Sequence, residues 1–583
     1  MGFGMRYKRN PVWLLLMATA ILMGCAETDI EEDKARCNPD AVVSTRTSID
    51  SSDCIAIDLA NPSSSDSRIN ISEESGVLTV AIKATSAVCL SFSGSRDGGV
   101  KVKNSNNVEV DVILNSIQIT SESNPGFLKL NTGNDFWGNT YLVKLVGDSK
   151  IVGGASEDSK KVFDSEANLG IIGDGSLSIT AKYKTGMGCD DVLTIYGGHI
   201  NITVDRTAAA KTSGYEEKGF GIKVVNGFVM KGGTVNISAN DNITNYESRG
   251  LKVDGSDETS CNTGKGYIHI MDGSLTISAD AKALTAGWEA DEDATTSSTA
   301  DDPSPDIEIS GGTLNLTTKG TPRENSTNSL SPEGIEGKHN VTISGGEIVV
   351  NSTDDAIQAG NRLEISGGKI FARATQNDAI DSNGSILISG GKTFALGASQ
   401  PEAGLDADNS SNVNYTGGLL VAIGGDNNAP QGSGTTGSFV STSIGASTGG
   451  MGGPGGGSSA LAGVTLALAA NGSSDVIAAA KVPSDYVGGS NLLILADGIT
   501  SGASYDVYQS PTLSPSDLSW FNDALLLDSA TLSGGTATAV TAGTATGGGG
   551  GPGGNQGGPG GGGDPPGGGG PGGGGTPPGK PGQ

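Results

Sequence analysis

The string Ile-Ser-Gly-Gly occurs four times, at Ile309–Gly312, Ile343–Gly346, Ile365–Gly368 and Ile388–Gly391, and a second apolar-alternating stretch follows each copy. Looser copies end on the glycines at 175, 198, 233, 273 and 418. Where nothing is inserted, the second glycine returns every 22 or 23 residues. A four-stranded propeller blade needs about 40–45 residues, so this period is too short for one. It suits a single rung of two or three short strands, stacked on equivalent neighbours about 4.8 Å away. The longer gaps hold polar inserts (Asn240–Glu247, Ser256–Lys265 and Glu289–Asp306) that read as loops leaving a constant core.

Within each copy, apolar residues alternate with polar ones at period two, so one face of every strand points inward. Paired glycines let the corner adopt positive φ without a Cβ penalty. A second element precedes each corner: Glu333-Gly334-Ile335-Glu336, Asp355-Ala356-Ile357-Gln358, Asp378-Ala379-Ile380-Asp381 and Ala403-Gly404-Leu405-Asp406. Earlier equivalents are Arg249-Gly250-Leu251-Lys252 and Lys282-Ala283-Leu284-Thr285. Aromatics make up only 4% of the chain, which suits a narrow aliphatic column better than a wide core. The pattern predicts an all-β chain whose body, residues 166–426, is a right-handed parallel β-helix. An N-terminal cap and first coils fill 46–165, and a small C-terminal β region with a glycine-rich loop at Met451–Ser458 fills 427–546. Residues 547–583 are nearly all Gly and Pro, and a tail of that composition is expected to be disordered.

The alternation of Asp-Asp-Ala-Ile or Glu-Gly-Ile-Glu corners with Ile-Ser-Gly-Gly turns resembles the calcium-containing carbohydrate-binding family first described in a cellulose-degrading clostridium. Earlier segments agree, among them Cys189-Asp190-Asp191-Val192-Leu193 leading into Gly197-Gly198, and the likeness runs from about Gly76 to Asp426. It implies a β-helix shaped like those of pectate lyases, bound calcium, and affinity for acidic plant polysaccharides such as polygalacturonate. The sequence departs from the pattern in its long inserts and in Arg249-Gly250-Leu251-Lys252, where acidic residues are commoner.

Stacking sets the corner carboxylates one above another. Asp354, Asp355, Asp378, Asp381 and Asp406 recur on adjacent rungs beside Glu402 and Asp408, and Asp190 with Asp191 forms an earlier cluster. Such carboxylates repel unless solvated or bridged, and Ca²⁺ takes six to eight oxygens, so these are the candidate calcium ligands. Aspartate is also an ordinary turn residue, and a solvated ladder would look the same in sequence. Trp137, Tyr141 and Trp288 are the candidate rings for stacking on a sugar. Lys338, Arg362, Lys369 and Arg373 are candidate partners for uronate carboxylates. No lyase signature and no histidine triad is present, and the corner repeat explains the aspartates without catalysis. The expected function is therefore non-catalytic polysaccharide binding. A lyase or hydrolase on the same scaffold, or a surface adhesin, is the alternative.

The formal net charge of −28 repels polyanions and argues against nucleic acid as a partner. A uronate polymer would have to be held through cations, local lysines and arginines, or uncharged contacts. At the N-terminus, Arg6, Lys8 and Arg9 precede the apolar run Val12–Met23, which is too short to span a bilayer and ends in Leu22-Met23-Gly24-Cys25. This resembles a bacterial lipobox, so residues 1–24 read as a signal peptide and Cys25 as a lipidated anchor to the membrane. Residues 25–45 read as an acidic tether, which favours the outer membrane and the cell surface. Among the remaining cysteines, Cys37 and Cys54 would close a short loop.

Overall fold

The computed structural model describes residues 46–132, 140–208, 218–240, 247–255, 266–287, 306–322, 330–444, 461–514, 525–527 and 530–544. The chain is all-β and consists largely of parallel strands. A typical rung has three of them: Ile380–Ser382, Ser385–Ile388 and Lys392–Leu396. Each pairs in parallel with its counterpart one rung back, at registers Ile357↔Ile380, Ile365↔Ile388 and Phe371↔Phe394. The offset of 23 residues is the sequence period expressed as hydrogen bonding. First strands of successive rungs build a 13-stranded sheet, and the second and third strands belong to a 24-stranded one.

Alternation fixes which side is core. In Glu347–Ser352, Ile348, Val350 and Ser352 are buried while the residues between them face out. Ile309, Ile343, Ile365 and Ile388 stand in register and are fully enclosed, as are Ile335, Ile357 and Ile380 in the neighbouring ladder. The corner glycines are required by geometry. Gly368 has φ +84°, and a Cβ on Gly367 would collide with the carbonyl oxygen of Ser344 on the rung below.

Parallel stacking begins earlier than the Gly-Gly repeats. Ile55–Asp58 already pairs in parallel with Val88–Asp97, at Ile55↔Leu90. That register sets Cys54 beside Cys89, and the two form a disulfide. The short Cys37–Cys54 loop is therefore corrected: Cys54 is taken by a cysteine 35 residues on, brought alongside by the rung offset. Ile69–Glu74 folds back antiparallel on Val77–Ile82 at this end. At the other end Asn491–Leu495 lies antiparallel against Leu419–Gly424, and a seven-stranded sheet with antiparallel pairings follows. Its core buries Phe371, Phe394 and Val421, which point outward from the last rungs, beneath Leu466, Leu468 and Val507. Arg373 Nη1 bonds Asp485 Oδ1 at 2.9 Å across the same junction. Among the described residues no helix is long and apolar enough to cross a membrane. Cys25, Cys37, the loop Met451–Ser458 and residues 547–583 lie outside the described residues.

Candidate functional site: a charged face on the 13-stranded sheet

From Lys218–Val224 onward the first strands turn apolar residues such as Ile222, Leu251, Leu284, Ile335, Ile357 and Ile380 inward and place mainly polar residues on the other side. The register runs Lys223↔Lys252↔Thr285↔Glu336↔Gln358↔Asp381↔Asp406, one residue per rung. A parallel column is marked by backbone bonds between rungs and carries Arg249, Lys282, Glu333, Asp355 and Asp378. The face is thus cationic on its earlier rungs and anionic on its later ones.

On the anionic end, one carboxylate oxygen from each of Asp378, Asp381 and Asp406 falls within 4.8 Å of the others. Asp378 and Asp381 are sunk to 2% and 4% exposure. Asp378 accepts the Ala403 N–H, and Asp406 accepts from Asn428. Burial, with Asp406 and Asp381 repelling it, pushes the Asp378 carboxyl up to about 8. Asp355, on the preceding rung, is raised well above the usual range by burial and then by Asp381 and Asp378. It accepts the Asp378 backbone N–H at 3.0 Å, while Asp354 takes Asn377 Nδ2 at 2.7 Å. Carboxylates this close and this dry are held apart from water at a cost that a proton or a divalent cation offsets. A purely oxygen, purely anionic donor set fits a hard cation such as Ca²⁺.

The other sequence candidates fall elsewhere. Asp354 and Asp355 flank the triad. Asp190 and Asp191 do not join it, because they lie six strands back along the sheet, about 29 Å away. Asp190 pairs with Lys161 Nζ at 2.7 Å, and Asp191 accepts from Asn226 Nδ2 at 3.0 Å. Tyr141 is corrected as a sugar-stacking ring: it is 1% exposed, packs in the aliphatic column, and donates its hydroxyl to the Asn131 carbonyl at 2.8 Å. Trp137 and Trp288 lie outside the described residues. Arg362 pairs with Glu364, Arg373 with Asp485, and Lys369 sits on the third strand, so only Lys338 reaches this face.

Sequence reasoning named Lys338 and noted Arg249 and Lys252 but missed that they join Lys223 and Lys282 in one cationic end. Lys282 Nζ reaches Glu336 Oε1 at 2.7 Å and also Glu333, and Lys338 meets Glu336 as well. Burial and then Glu336 push Glu333 up to about 8 against the pull of Lys282. One rung back, Lys252 and Lys223 overcome burial and hold Asp254 well below the usual carboxylate range, at 2.8 and 3.0 Å.

A family model described as carbohydrate-binding domain-containing protein matches residues 77–379, more than half of the chain. The chain belongs to this family. The match takes in the cationic rungs of the charged face and ends one residue past Asp378. No curated protein matches this carbohydrate-binding domain protein. A solved structure titled polysaccharide lyase-like protein from C. thermocellum, gadolinium derivative, is 17% identical, covers 47% of this chain and 96% of its own, and has a TM-score of 0.31.

Proposed function

We propose that this protein is a non-catalytic receptor for an acidic, pectin-like polysaccharide, which lies along the charged face of the 13-stranded sheet. In this reading the stacked rungs wind as a right-handed parallel β-helix, a form supported by three parallel ladders that share one residue offset. Calcium would be held by Asp378, Asp381 and Asp406, with Asp354 and Asp355 beside them. It would neutralise the carboxylates and offer open positions to uronate oxygens. The lipobox-like Leu22–Cys25 supports anchoring through a lipidated Cys25 in the outer membrane, with the glycan face presented at the cell surface.

The observation that carries the reading is the meeting of three carboxylates from two adjacent rungs, where a stretch matching a carbohydrate-binding family ends at residue 379, between Asp378 and Asp381. Calorimetric titration with polygalacturonate, in calcium and in chelator, tests it. Binding that strengthens in calcium, with Asp381→Asn losing that gain, is expected. No affinity for any polysaccharide in either condition would remove the proposal. One observation favours a second reading: a carboxyl raised to about 8 beside other carboxylates is also how glycoside hydrolysis separates acid from base. Reducing ends released from polygalacturonate by the wild type, and not by Asp378→Asn, would put hydrolysis in place of binding.

A further inference from the structure

The cationic rungs form a second place on the same face where ligand chemistry is unfilled. Among the described residues, ion pairs on these rungs join five cations, Lys223, Arg249, Lys252, Lys282 and Lys338, to four carboxylates, Glu247, Asp254, Glu333 and Glu336. In a chain whose formal net charge is −28, these described residues concentrate positive charge on one part of the sheet.

Between Lys252 and Glu336 in the register sits Thr285. Its side chain is on the outer side, it is only 3% exposed, and its Oγ1 has no hydrogen-bond partner. A buried hydroxyl left without a partner costs stability, and a bound acceptor would satisfy it. Two residues on, buried Gly287 lies where the Thr285 side chain and two lysine stems come together. A Cβ there would meet Thr285 Cγ2 at 3.6 Å and Lys252 Cε and Lys338 Cγ at 3.8 Å, all ordinary contact distances. Gly287, the buried Thr285 side chain with its unpartnered hydroxyl, and the stems of Lys252 and Lys338 thus converge on one point of the face.

We propose that Lys252, Lys338 and Thr285 form a metal-independent subsite for the carboxylate of a uronate sugar, separate from the aspartate triad. The proposal rests on the reading that a polysaccharide lies along this face. A uronate polymer would then be held by ammonium groups on the earlier rungs and by a cation on the later ones, which gives it a fixed direction on the sheet. Direct ammonium–carboxylate pairing at a partly exposed site weakens with salt. Lys338, with its side chain 40% exposed, is the member that can be removed with least effect on the fold.

The test is calorimetric titration of the full chain with galacturonate oligomers in chelator at low ionic strength, repeated in calcium. Binding that survives chelator and weakens with added salt is expected. Lys338→Ala should weaken it about tenfold, the loss of one charge-assisted contact. Thr285→Val, which keeps the shape and removes the hydroxyl, should weaken it severalfold, and Gly287→Leu should abolish it. Binding in calcium with none in chelator would overturn the subsite and leave the polysaccharide reading standing. Chelator-resistant binding indifferent to both Lys338→Ala and Gly287→Leu would also overturn it. Absence of binding in both conditions would bring down the two together.

Discussion

Replacing Asp378 with Asn removes one charge from the triad without changing the side chain's shape. Its Oδ1 can still accept the Ala403 N–H. In the metal-free protein the Asp378 carboxyl titrates at about 8, against 3.8 for an ordinary aspartate. At pH 7 the folded chain therefore keeps a proton that the unfolded chain has released. Each unit between 3.8 and 7 costs about 1.36 kcal/mol, so the penalty is on the order of 4 kcal/mol. The sign follows from a raised folded value: the group's contribution is fully present below about pH 4, falls as pH rises, and is lost above about pH 8. Asp254 is depressed and pulls the other way at low pH, so the informative quantity is the variant minus the wild type at each pH. Urea midpoints followed by circular dichroism in chelator should be equal near pH 4, and at pH 7 the variant should be the more stable. With calcium present the order should reverse, because the variant loses a ligand. A variant less stable than wild type at pH 7 in chelator would refute the argument.

Three further outcomes follow from the stack. Ile365→Ala empties a fully enclosed position between Ile343 and Ile388 and should cost about 2–5 kcal/mol in denaturant unfolding. Cys89→Ser opens a link between residues 35 apart and should cost about 3–4 kcal/mol by loop entropy, seen as a lower melting temperature that reductant reproduces in the wild type. Tyr141→Phe should lose about 1 kcal/mol with its hydroxyl bond and leave glycan affinity unchanged; a fall in affinity would return Tyr141 to the ligand.

Much of the rung was legible because its parts are local. The Gly-Gly corners, the period-two strands and the small-apolar-polar element all carry backbone reasons that a sequence displays. Their shared offset of 22–25 residues over the last rungs placed Asp406 one level beyond Asp378 and Asp381, which share a rung. The cationic end was hidden because inserts of unequal length separate Lys252, Thr285 and Glu336, so their alignment exists only in the register. Tyr141 could have been read correctly: it alternates with Val143 and Leu145, and the inward set includes it. Cys54–Cys89 shows the same lesson for covalent links, since in a parallel stack residues one rung apart are nearer than the next residue on the same face of the strand.

A parallel ladder repeats by translation, so its last strand is an open invitation to the first strand of another molecule. Here that invitation is withdrawn. Asn491–Leu495 runs the opposite way along Leu419–Gly424 and is flanked in turn by Ser438–Ser443, while the shorter sheet stops at the two-residue Asp406–Ala407 with a carboxylate on its rim. At the far end the Ile69–Ile82 hairpin reverses direction likewise. Among the described residues each sheet thus has one end closed by an antiparallel strand, which limits end-to-end fibre growth. The number of rungs is thereby set within the single chain, and with it the length of polymer that one molecule can measure off.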